Sequence, residues 1–215
     1  MLIKLLELIE NKHKLVEVNT EDYQNLKASG MKFEIKAYDA IGLGRVSIMK
    51  AKGFFGLMKM DTLMITPTDK DLPLLSYDRI NAMGNDTLII ELYDTLLGEC
   101  SLVSLNNVKE EYKDLPDHNL GTHWYDSIKF SESVSKKGKK KESNQYNELT
   151  ANYIEKYLNL ESYVVENKEE KNLKSKTYVD GLLNNGGPST TVFQKCIGKD
   201  KTEKLFKEIL FGIKK

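Results

Sequence analysis

Between residues 31 and 95 the chain returns again and again to strand-forming runs joined by short links. Runs over residues 31–39, 43–51, 57–66, 79–83 and 87–95 are rich in apolar, β-branched and aromatic side chains. Gly42, Gly53 and Gly56 sit beside the early breaks, and Pro67 and Pro73 punctuate the link after residue 66. Gly84-Asn85-Asp86 carries the chemistry of a tight hairpin turn. A parallel pair of strands needs a crossover of about a dozen residues or more, so this succession predicts an antiparallel sheet.

Strand alternation then sorts the side chains. Met58, Met60, Thr62, Met64 and Thr66 share one face of the 57–66 run. In the 87–95 run, Leu88, Ile90 and Leu92 share one face, and Ile89, Glu91 and Tyr93 the other. Glu91 interrupts an apolar run. A carboxyl in such a place either sits on the solvated face of a one-sided sheet or is held in a pocket for a purpose. In an apolar pocket its pKa rises, and it can act as an acid near neutral pH. The Met58, Met60, Met64 stripe is open to two readings as well, as sheet core or as a pliable wall against a flat ligand.

Helices flank this sheet in sequence. Leu2, Leu5, Leu6 and Ile9 predict an amphipathic helix over residues 2–14, and a short helix is expected to start near Thr20-Glu21-Asp22. Beyond residue 104 the pattern is mainly helical, over residues 142–160, 168–184, 189–197 and 200–211. Helices before and after one antiparallel sheet predict an α/β (α+β) fold, a three-layer α/β/α sandwich, with residues 1–215 as a single domain. Acidic and basic residues balance at 32 each, so net charge makes no case for nucleic acid. No apolar run is long enough to span a bilayer, and neither a membrane partner nor a signal sequence is expected. Cys100 and Cys196 are isolated, and the cytoplasm is the expected compartment. His13 reads as a surface residue, and His118 and His123 have no third clustered ligand, so no metal site is expected.

The segment from Asp61 to Glu91 reads DTLMITPTDKDLPLLSYDRINAMGNDTLIIE. A strand ending at Pro67, the run Asp71-Leu72-Pro73 followed by Asp78, the turn at Gly84, and an apolar strand carrying Glu91 stand in that order. In this the chain resembles the ferredoxin-dependent bilin reductases. Leu115-Pro116, His123-Trp124-Tyr125, Phe130-Ser131, Pro188, the Ile197-to-Thr202 turn and Leu210-Phe211 extend the resemblance over roughly residues 57–213. It implies an α/β/α sandwich that reduces an open-chain tetrapyrrole with electrons from reduced ferredoxin or flavodoxin and holds no tightly bound cofactor. It also implies a substrate lying between the sheet and the C-terminal helices, Glu91 as the proton donor, and a binding set of Thr62, Met64, Asp78 and Gly187.

The chain departs from the family at proton-handling positions. Glu91 stands where an aspartate is usual, Gly187 where many members carry a second catalytic aspartate, and Thr62 where some use a histidine. A non-catalytic carrier of a tetrapyrrole or another flat apolar ligand is therefore the alternative on the same fold. The lysines Lys136, Lys137, Lys139, Lys140 and Lys141 form one basic cluster. They read as a solvated loop or as a docking patch for an acidic partner, which ferredoxins and flavodoxins are.

Overall fold

One antiparallel sheet of eight strands forms the middle layer. The structure, a computed structural model, describes residues 1–20, 22–187 and 189–213. Helix α1 (Leu2–Glu10) leads into strands β1 (Leu15–Val18) and β2 (Asn25–Ala28). The long strands follow: β3 (Met31–Ala40), β4 (Gly44–Gly53), β5 (Met58–Pro67), β6 (Leu74–Ala82) and β7 (Asn85–Tyr93). Helix α2 (Val103–Glu111), strand β8 (Val134–Lys139) and helices α3 (Ser143–Leu158), α4 (Lys168–Asn185), α5 (Thr190–Ile197) and α6 (Lys199–Lys204) complete the order. From β3 to β8 the strands pair in sequence order, while β1 and β2 lie end to end along the outer edge of β3.

The alternation of side chains divides the protein into two cores. Leu63, Ile65, Leu88 and Ile90 face α1, α2 and α3, together with Leu5, Leu105 and Tyr153. Phe33, Ile35, Met49 and Met64 face the other way, toward Tyr178, Phe193 and Phe206 from the C-terminal helices. The result is an α/β/α sandwich with a central antiparallel sheet, as the strand and helix pattern predicts. Each large apolar side chain buried in either core contributes about 1.5–3 kcal/mol.

Two buried ion pairs tie the layers together. Lys171 on α4 is wholly enclosed and donates to Asp71 Oδ1 at 2.9 Å, to Leu72 O at 2.8 Å and to Thr95 O at 2.7 Å. Asp71 also accepts from the backbone N–H groups of Leu97 and Gly98. Burial works against its charge, yet Lys171 and these two amides bond its ionised form and hold its carboxyl below the ordinary carboxylate range. On the other face Arg79 Nε and Nη2 reach Asp86 at 2.5 and 2.6 Å, and the guanidinium lies 4.7 Å over the Tyr146 ring of α3. At the C-terminus the chain leaves α6 through a wider π-type winding over Leu205–Leu210. Its carbonyls at Glu208 and Ile209 accept from Arg45 Nη1, each at 2.7 Å.

The edges of the sheet differ from expectation. Helix α1 ends at Glu10, because the chain turns there to enter β1 and pair with β3. His13 is buried rather than exposed, with Nδ1 3.1 Å from Ile41 O. The short helix expected from residue 20 falls partly on Glu21, outside the described residues, and the chain beyond it forms β2. The basic cluster is not a loop, since Lys136, Lys137 and Lys139 belong to edge strand β8. Lys136 is withdrawn from any docking patch: its Nζ donates to Leu115 O at 2.9 Å and to Asp117 Oδ1 at 2.7 Å. Lys137, Lys139, Lys140 and Lys141 are exposed.

Candidate functional site

Period-two alternation on three adjacent strands gathers one set of side chains on the side of the C-terminal helices. Thr62 on β5 stands opposite Asp78 on β6, and Asp78 opposite Ile89 on β7. One step along, Met64 stands opposite Ser76, and Ser76 opposite Glu91. The helices do not close fully over this patch. A cavity of about 180 Å³ lies between it and Tyr178, Leu182, Gly187 and Phe206. Thr62, Met64, Asp78, Glu91 and Gly187, far apart in sequence, all line that one cavity.

Asp78 and Glu91 supply its two acidic groups. The Thr62 hydroxyl donates to Asp78 Oδ1 at 2.5 Å. Asp78 is half-buried on the cavity wall. Burial, helped by the charge of Glu91 on the next strand, outweighs the Thr62 hydrogen bond and pushes the Asp78 carboxyl up to about 6. Glu91 is buried and doubly held: Oε2 accepts from the Tyr93 hydroxyl at 2.6 Å and Oε1 from Lys129 Nζ at 3.4 Å. Lys129 also donates to Asp126 Oδ1 at 2.7 Å. Burial opposes the charge of that ammonium, but Asp126 and Glu91 prevail and raise its pKa.

Aromatic rings shape the wall around Glu91. The Tyr93 ring lies 4.3 Å from that of Tyr178 on α4 and meets Tyr125 edge-on at 5.4 Å. His123 stacks on Tyr125 at 4.9 Å. Burial drives the phenols of Tyr93, Tyr125 and Tyr178 well above the ordinary tyrosine range, so they serve as hydrogen-bond donors and not as bases. Trp124 packs so closely on α4 that a Cβ at Gly181 would lie 2.2 Å from its ring, which explains a glycine in mid-helix. The loop holding His123, Trp124 and Tyr125 is thereby pressed against the cavity.

Gly187 forms part of the helical wall with little space to spare. A Cβ there would lie 3.1 Å from Thr190 Oγ1 and 3.4 Å from Leu182 Cδ2. Pro188, part of the family-like C-terminal pattern, lies outside the described residues. The sequence did not single out Tyr178 or Lys129. Tyr178 reads as one more core position of an amphipathic helix, and Lys129 as one surface lysine among many. Only the HWY run at residues 123–125 signalled that aromatic side chains gather here.

The comparisons with known proteins bear on the fold. No protein-family profile matches the sequence, and no curated protein does. Among solved structures, the chain is similar to phytochromobilin synthase from tomato, determined in complex with biliverdin. The TM-score is 0.75 at 13% sequence identity, and the match covers 98% of this chain and 81% of that one. The architecture is thus shared across nearly the whole chain, while the side chains are largely its own.

Proposed function

We propose that this chain, acting as a single domain, binds a linear tetrapyrrole in the cavity and reduces it by alternating single-electron and proton transfers. The observation that carries this reading is the meeting of Asp78 and Glu91 on the sheet wall of a largely apolar cavity, with methionine and aromatic side chains among its lining. The fold shared with an enzyme solved with biliverdin supports the ligand class. At about 180 Å³ the cavity is smaller than the ~300–1,000 Å³ usual for ligand sites. A tetrapyrrole therefore enters by displacing pliable side chains such as Met60 and Met64, or extends through the mouth.

Reduction of one double bond takes two electrons and two protons. The electrons arrive singly from a reduced ferredoxin or flavodoxin, and the conjugated ligand carries the radical between transfers, so the protein needs no bound redox group. We assign Glu91 the relay of a proton to the ligand: it takes one up from solvent at the cavity mouth and passes it on, with Tyr93 and Lys129 orienting it. Asp78 stores the second proton, a task its elevated pKa suits. It takes the place of the acid missing at Gly187. Lys137 and Lys139 sit on the cavity side of edge strand β8, by alternation from Ser135 opposite Ile89. They provide a docking point for an acidic electron donor.

The test is a visible-absorption titration with biliverdin, followed by anaerobic addition of reduced ferredoxin. Wild type should bind and then bleach or shift the bilin spectrum. Glu91→Gln should still bind but lose turnover by a factor of about 100 or more, the range typical for loss of a general acid. Turnover at full rate in that variant would remove Glu91 from the mechanism. Binding without turnover in wild type, with several bilins and donors, would establish the carrier reading. The absence of titratable groups at Thr62 and Gly187, and the tight space at Gly187, favour that alternative.

A further inference from the structure

Every non-glycine residue with a left-handed backbone among those described lies at one end of the sheet. They are Ser29 in the β2–β3 turn, Phe54 and Phe55 in the β4–β5 turn, and Met83 in the β6–β7 turn. The register places the three turns side by side, since Met31 pairs with Gly53 and Met58 with Ala82. Left-handed geometry is disfavoured for bulky side chains, which Gly or Asn would avoid at no cost to a turn. Here it carries apolar side chains out into solvent. Phe55 is fully exposed, Phe54 is 57% exposed, Leu57 70% and Met83 91%. None of these four contributes to either core.

The surroundings are basic. Lys52 and Lys59 face each other across β4 and β5 just behind the phenylalanine turn, and both are exposed. Leu57, Lys59, Gly84 and Lys140 border one shallow depression between the turns. The carboxylate lining that depression, Asp86, is engaged by Arg79 at 2.5 Å, and Glu142 nearby is bonded to Lys141. The end of the sheet thus presents convex apolar tips ringed by lysines, and among the described residues no ion pair joins Lys52, Lys59 or Lys140 to an acid.

We infer that this end of the sheet is a docking surface for an anionic lipid bilayer, with Phe54, Phe55, Leu57 and Met83 entering the interface and Lys52, Lys59 and Lys140 meeting the headgroups. Lysine charge alone would fit an acidic protein equally well. The apolar groups decide for the bilayer, because they project from the tips of two turns, and the depression between them is too shallow to seat a partner's side chains. Surface insertion of aromatic side chains with flanking lysines needs no spanning helix. None of the helices described is long and apolar enough to cross a membrane, which leaves surface binding untouched. The surface adjoins Lys139, which pairs with Asn85 and donates to its side chain at 2.7 Å, but its apolar tips take no part in the proposed reduction.

Flotation of the full chain with phosphatidylcholine vesicles, with and without phosphatidylserine, tests this. Wild type should float with the anionic vesicles and not with the neutral ones, and added salt should weaken binding. Phe54→Gly with Phe55→Gly should weaken binding at least about tenfold, and should melt no lower than wild type, because glycine suits both backbone positions. Leu57→Ser, at the end of the phenylalanine turn, with Met83→Asn, in the β6–β7 turn, should weaken it as well. Lys52→Glu with Lys59→Glu should reduce binding about tenfold or more, since losing one lysine near an anionic surface costs about fivefold. Undiminished flotation of both apolar variants would overturn the inference, since simple charge attraction would then suffice. So would failure of wild type to float. Self-association, or capture of an acidic ferredoxin, that is abolished in the glycine variant while vesicles are ignored would also overturn it, in favour of a protein partner.

Discussion

Replacing Asp78 by asparagine should stabilise the protein at neutral and mildly alkaline pH while abolishing the proposed reduction. The folded carboxyl has a pKa raised from 3.8 to about 6. Between those values the folded state holds more protons than the unfolded one, so stability falls as pH rises through that window. The full cost is present above it. A shift of this size corresponds to about 3 kcal/mol at most, and water in the cavity reduces it. Asparagine keeps an acceptor for the Thr62 hydroxyl and carries no charge, so the variant should gain up to that amount at neutral pH and almost nothing at a pH of about 4. Urea unfolding of wild type and Asp78→Asn at the two pH values measures it. Equal stabilities at both would show that Asp78 is solvated and has no raised pKa. In turnover, the wild-type rate should decline as pH rises past about 6, where Asp78 gives up its proton. A group that weakens the fold yet supplies a proton where the ligand sits is what a functional acid looks like energetically.

Lys171→Met should cost about 3–5 kcal/mol at neutral pH. The substitution leaves Asp71 buried with only the amides of Leu97 and Gly98, while Leu72 O and Thr95 O lose a donor. The pH dependence has the opposite sign to that of Asp78. The Asp71 carboxyl is held low in the folded state, so the stability it contributes is present above its unfolded pKa of about 3.9 and is lost as pH falls through the lower folded value. Without Lys171 the folded carboxyl takes up a proton more readily, and the deficit of the variant should shrink in acid. Asp71→Asn combined with Lys171→Met removes both charges and should recover much of the loss, as buried pairs replaced by neutral groups often do. Denaturant unfolding of the single and double variants decides it. A single variant within about 1 kcal/mol of wild type would mean that solvent reaches the pair.

The contrast between these two carboxyls shows where sequence reading stops. Strand order from β3 to β7 and the split of side chains between faces were legible, because both follow from local turn chemistry and period-two alternation. They also put Thr62 and Met64 two strands away from Glu91, with β6 between. Asp71 and Asp78, seven residues apart, looked alike in sequence. Their opposite pKa shifts come from what packs on them, Lys171 being 100 positions away from Asp71. Strand β8 was hidden for a related reason. Its three lysines give the run the polarity of a loop, and the enclosure of Lys136 by the chain after α2 reveals an inward-facing position. Tyr125 and Tyr178 join the cavity wall through close packing of Trp124 on Gly181, a contact no local pattern announces.

The alternation in β5, β6 and β7 has a consequence for how such a chain can diversify. Odd and even positions along each strand answer to different masters: Leu63, Ile65, Leu88 and Ile90 to the α1–α3 core, Thr62, Met64, Asp78 and Glu91 to the cavity. Point substitutions can therefore explore ligands at every second residue without disturbing the buried layer behind. Gain or loss of one residue within a strand is a different matter, because it exchanges the two sets at once. Chains on this fold should thus differ inside the strands by substitution and at the hairpin tips by length. The tomato structure, alike in architecture at 13% identity, shows how far side chains can drift while the frame holds.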